Sequence, residues 1–191
     1  MLNLSNSTKS LLGFGFAVRT LAAPLVGLVQ TSANFEAAMS KVGAITNATS
    51  DDMKKLTMTA RELGEKTQFT ATQSADAMSY LGMAGWNAEQ IMQGMPGLLN
   101  LAAAGGTDLA RTADIVSDDL TAFGLSAEQA SHMADVYAVT ITKTNTNVEM
   151  LGDTMKYAAP VAHAFGVSME ETAALAGLMA NSGIKASQAG T

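Results

Sequence analysis

The sequence predicts an all-α protein: a multi-helix array of short capped helices, paired as helical hairpins in a repeat-like order, with no sheet. Three observations carry this reading. A six-residue punctuation occurs three times, as Gly85-Trp86-Asn87-Ala88-Glu89-Gln90, Gly124-Leu125-Ser126-Ala127-Glu128-Gln129 and Gly166-Val167-Ser168-Met169-Glu170-Glu171. Apolar residues between these marks recur at steps of three and four, and no long alternating run argues for strands. The 191-residue chain is 48% apolar, which is enough to fill a core.

In each copy the glycine can take the left-handed conformation that closes one helix, and the Asn or Ser two residues later can accept a bond from an orphan N–H of the next. Gln90, Gln129 and Glu171 stand three residues after the caps Asn87, Ser126 and Ser168, placed to complete capping boxes. The glycines are 39 and 42 residues apart, which leaves room for two short helices per unit.

From the N-terminus, the chain reads as an apolar helical segment, 1–46, followed by a helical repeat module, 47–191. Within the first segment Leu11 to Val29 is long enough to cross a bilayer if helical throughout. Arg19 is costly in that setting, and Gly13, Gly15 and Gly27 weaken the helix in water too. Leu11, Leu12, Phe14, Phe16, Leu25, Val26, Leu28 and Val29 are therefore candidates either for membrane contact or for burial against other subunits. Pro24 opens a second helix or kinks one long helix running to about Ala44.

Ser50 reads as the cap of a helix from Asp51 to about Leu63, with Asp51 and Asp52 favoured by the dipole in its first turn and Gly64 as its stop. Thr70 and Gln73 form another capping box, followed by Ala71, Ala75, Met78 and Leu81 at helical spacing. After Asn87 a short helix meets Gly94 and Pro96, and Pro96 is expected to open a second one that ends at Gly105-Gly106. Leu109, Ala113, Val116, Leu120 and Phe123 make one buried stripe of an amphipathic helix.

The next helix, from Ala127, is expected to bury Ala130, Met133, Tyr137 and Ile141. It dissolves in the polar, β-branched tract from Thr140 to Asn147. Thr146 with Glu149 predicts a capping box for a helix to about Phe165, and Pro160, unable to donate to the carbonyl of Lys156, predicts a kink or break. After Ser168 the last helix carries Thr172, Leu175, Ala176 and Met179 to Gly183, and Ser187 is a candidate cap for a successor.

No catalytic, cofactor or metal site emerges. The two histidines, His132 and His163, lie on separate helices without a second His four residues away. His132 with Asp135 reads as an exposed helix pair. Asp51-Asp52 and Glu170-Glu171 sit in first turns, where the helix dipole explains them, and Asp118-Asp119 point in adjacent rather than converging directions. Gly105-Gly106 lacks the Lys and spacing of a phosphate loop, and no serine sits in a nucleophile elbow. Trp86 occupies a position that is apolar in the other copies, Leu125 and Val167, and reads as a staple beside a cap. A net charge of −6 argues against nucleic-acid binding, and the absence of cysteine removes disulfides and thiolate metal sites. Aromatic residues are 5% and Met 13 residues, so flexible side chains supply much of the apolar surface.

Several segments together resemble the TP901-type phage tail tape measure family. They are Phe35-Glu36-Ala37-Ala38-Met39 with Val42-Gly43-Ala44-Ile45, Ala84-Gly85-Trp86, Leu99-Asn100-Leu101-Ala102-Ala103-Ala104, Asp114-Ile115-Val116 and Ala122-Phe123-Gly124-Leu125-Ser126. Tyr157-Ala158-Ala159-Pro160-Val161-Ala162, Gly166 to Thr172 and Gly183 to Thr191 follow in the same order. The resemblance implies a non-enzymatic structural virion protein in the lumen of the tail tube, which sets tail length by its span and leaves ahead of the DNA. It implies other copies of itself, the tail tube protein, tail-assembly chaperones in the host cytoplasm and tail tip or baseplate proteins as partners, with the host membrane as a further contact during ejection. The family continues beyond the terminal motif, so the chain is expected to be the N-terminal part of a longer protein. A ruler should be extended, at about 1.5 Å per residue of helix, whereas short capped helices double back. The region therefore reads as a folded module on the tape. Two other readings are a membrane-active segment for DNA delivery and a helical solenoid that binds protein partners.

Overall fold

The computed structural model describes residues 30–191. The apolar residues Leu11 to Val29 lie outside them. The chain divides into two compact units, Met1–Ala37 and Ala38–Thr191. Of the first, the described residues 30–37 are helical, and the architecture below is that of the second.

Among the described residues there are helices and no strand. Helix α1 spans 30–46, and is followed by α2 (Ser50–Lys66), α3 (Ala71–Met83), α4 (Ala88–Gly105) and α5 (Leu109–Ala122). A 3₁₀ turn (Ala127–Gln129) then leads into α6 (Ala130–Lys143), α7 (Val148–Phe165), α8 (Met169–Asn181) and the four-residue α9 (Ser187–Gly190). Alternate helices stack on one another: α3, α5, α7 and α9 form one layer, α4, α6 and α8 the other, and α2 packs on both α3 and α4. The core lies between the layers and includes Met78, Leu81, Ile91, Leu98, Leu109, Leu120, Met133 and Leu151, all fully buried.

The helix breaks explain the stacking. Gly124 and Gly166 have φ of +66° and +71°, a conformation that costs an L side chain roughly 1–2 kcal/mol. The residue after each punctuating glycine closes a six-residue ring: Trp86, Leu125 and Val167 donate to the carbonyls of Leu81, Leu120 and Ala162 at 3.1, 2.8 and 2.9 Å. That is the Schellman arrangement, and the apolar residue it places just past the helix folds back on the preceding turns.

Tight layers need small residues. A Cβ on Gly97 would lie 2.8 Å from Ser131 Cα, so α4 and α6 touch nearly backbone to backbone there. Trp86 is buried, with its ring over Gly94.

Several boundaries differ from the sequence reading. Thr49, not Ser50, caps α2 through a 3.2 Å bond from the Asp52 N–H. Gly64 lies inside that helix, where it makes room for the backbone of Ala71 rather than stopping the chain. Gly94 and Pro96 do not divide α4. Pro96 faces solvent, so the carbonyl it cannot satisfy is not sealed in the core. Likewise α7 runs unbroken through Pro160, which is exposed beside exposed Lys156.

Helix α6 continues to Lys143, and within it Thr140 and Thr142 turn their hydroxyls back onto the carbonyls of Val136 and Ala138. The irregular link shrinks to 144–147. Asn147 rather than Thr146 caps α7, accepting from the Met150 N–H at 2.8 Å, which leaves Glu149 outside any capping box. A 3₁₀ turn stands where helix was expected from Ala127, and Ile141 is only half-buried. Leu175 is exposed, and Ser187 follows Ala186 without capping α9.

Candidate functional site

The punctuation residues form the hinges of the array. Asn87 accepts from the Gln90 N–H at 3.0 Å while the Gln90 side chain accepts from the Asn87 N–H at 3.0 Å. Ser168 and Glu171 exchange the same pair of bonds at 3.2 and 3.1 Å. The Gln129 side chain accepts from the Ser126 N–H at 3.3 Å.

Side chains one unit apart then meet. Gln90 donates to Glu128 at 3.0 Å, and His132 lies 2.6 Å from Glu170. Glu128 and Glu170 each stand two residues after a cap, so the repeat reuses one position to tie neighbouring units of the same layer. The bonds from Gln90 and His132 hold these carboxyls below the usual range. His132 therefore has Glu170 of the next unit as its partner, and His163 packs its ring against Gly124.

Asp119 was not legible as a special residue. It is buried beneath α6, where Tyr137 Oη donates to Oδ2 at 2.7 Å. Burial pushes its carboxyl up to about 8, and the Tyr137 bond offsets part of that rise. Burial and the adjacent Asp119 likewise push the Tyr137 phenol up. The signal available in the sequence was position: Asp119 falls on the same side as Val116 and Leu120, next to the stripe that faces the core. Asp118, its neighbour, lines with Asp119 a cleft of about 180 Å³ that also holds Arg111, Asp153 and Lys156. Among the described residues no three His, Cys, Asp or Glu side chains converge as a metal site.

A groove of about 580 Å³ lies between α6 and α8. Val136, Val139, Ala174 and Leu178 form its floor and walls, with Asp135 and Glu170 toward one end and Lys143 at the other. It is an apolar groove with charged ends. No helix among the described residues is long and apolar enough to cross a membrane.

The fold is thus a cap-punctuated array of stacked helices with an apolar groove on one layer. The family described as phage-related minor tail protein matches residues 57–191, and the chain belongs to that family. It is 44% identical over 188 residues to the tape measure protein of Pneumococcus phage Dp-1, covering 96% of this chain and 16% of that protein. It is 33% identical over 168 residues to the probable tape measure protein of Escherichia phage P2, covering 87% of this chain and 21% of that one. The chain thus spans roughly a sixth to a fifth of the curated relatives it matches. No solved structure matches it. The protein is a structural component of the phage tail, and its place is in the tail of the virion.

Proposed function

We propose that this chain is a folded helical module of a tape measure protein. It lies in the lumen of the tail tube, takes part in setting tail length and leaves during genome ejection. The observation that carries this reading is the extent of the match: the family region, 57–191, begins within α2 and covers every later helix of the array, and the Dp-1 relative aligns over nearly the whole chain. Other copies of the chain, the tail tube protein, tail-assembly chaperones in the host cytoplasm and tail tip or baseplate proteins are its partners on this reading. It needs no catalysis.

Two-layer stacking of the kind seen in helical solenoids supports a module that works through its surfaces. Because its helices double back, the module contributes less length per residue than a continuous helix, which rises about 1.5 Å per residue.

The test is a phage lacking residues 38–191 in frame, with tails measured by electron microscopy. Tails of irregular length, or none, are expected. Infectious particles with tails of normal length would overturn the reading.

A further inference from the structure

The groove between α6 and α8 has a direction. His132, near the start of α6, meets Glu170 near the start of α8, and Thr144, past the end of α6, meets Gly177 toward the end of α8, where an added Cβ would lie 2.8 Å from its methyl. The two helices therefore run the same way, touch at both ends and part between. Val139 is 60% and Leu178 62% exposed. On α6 the residues Asp135, Val139 and Lys143 fall four apart, so an acid, an apolar centre and a base share one stripe about 12 Å long. Glu170 adds its carboxylate at the Asp135 end of the groove, and Lys143 holds the other end alone.

A half-turn about an axis lying in this face and perpendicular to the two helices turns the face over and reverses both helices. It lays the acidic end of one copy on the basic end of another, with Val139 against Val139 at the axis. The pattern is self-complementary under twofold rotation, as an isologous interface requires. A parallel arrangement of the same faces would set Asp135 on Asp135. From this charge pattern we infer that the α6–α8 face is an antiparallel, twofold interface between two copies of this chain. The apolar floor supplies the burial and the Asp135–Lys143 pairs fix the register. The interface does not depend on how tail length is set, so the two readings stand or fall separately.

Sedimentation equilibrium of the full chain tests it, with helix content by circular dichroism as the check on folding. The chain should dimerise, more tightly at low than at high ionic strength. Asp135→Lys or Lys143→Asp alone sets like charges together at two symmetry-related places and should weaken the dimer about tenfold or more. The double exchange Asp135→Lys with Lys143→Asp should restore it. Because the chain contains no cysteine, Val139→Cys provides a second reading: mild oxidation should yield a cross-linked dimer, while Met58→Cys on α2 should not. A chain that stays monomeric, a dimer indifferent to either single reversal, or a double exchange that fails to restore association would overturn the interface. Capture of a different partner in the groove by a chain that remains monomeric would do the same.

Discussion

Tyr137 on α6 donates its hydroxyl to Asp119 on α5 at 2.7 Å, joining the two layers through a bond sealed from solvent. A carboxyl in that position favours its neutral form in the fold and its charged form in the unfolded chain. Its folded value is about 8 against an ordinary 3.8. The fold therefore holds a proton that the unfolded chain releases, and stability falls as pH rises between those values.

Asp119→Asn should remove that dependence. Urea denaturation at pH 5 and pH 8 should show the native chain losing stability at the higher pH while the variant stays nearly level, and at pH 8 the variant should be the more stable. Tyr137→Phe leaves the buried carboxyl without its donor and should cost about 1–3 kcal/mol.

Close layer contact predicts a cost at Gly97 that differs in kind from the cost at Gly85. Gly97→Ala gains up to about 1 kcal/mol in helix propensity but drives a methyl to 2.8 Å from Ser131 Cα. A net loss of about 1–2 kcal/mol is expected in thermal denaturation, since overpacking costs about 1–3. Gly85 has open space around it but a φ of +86°, so Gly85→Asn should cost less than Gly85→Ala.

The α8 cap predicts a smaller, local effect. Ser168→Ala removes the acceptor for the Glu171 N–H and should cost about 1 kcal/mol, whereas Glu171→Gln, which keeps an acceptor for the Ser168 N–H, should cost less. Urea midpoints of the two variants measure the difference.

Much of this architecture is local and could be read from residues. Gly85, Asn87 and Gln90 act within one helix break, so their chemistry is complete in six residues, and the same holds for Gly166, Ser168 and Glu171. The family was also visible, because its segments keep their order along the chain. What escaped depends on neighbours distant in sequence. Gly64 and Gly94 looked like stops because nothing in the sequence shows that Ala71 and the Trp86 ring come against them. Pro96 and Pro160 looked like breaks because solvent exposure, which decides whether a lost helix bond is tolerable, is settled only when the layers assemble. Asp119 looked like one of two adjacent, non-converging carboxylates, and only the fold brings Tyr137 of α6 over it. The choice of Asn147 over Thr146 was a one-residue ambiguity between two adequate caps.

Regular breaks fold this part of the tape back on itself. Spin labels at 132 and 170, introduced as cysteines into the cysteine-free chain, test it by dipolar distance measurement. Stacked helices, whose axes lie about 8–10 Å apart, put the labels within about 25 Å of each other. One continuous helix from 132 to 170 would hold them about 57 Å apart, and that distance would show that the chain does not fold back.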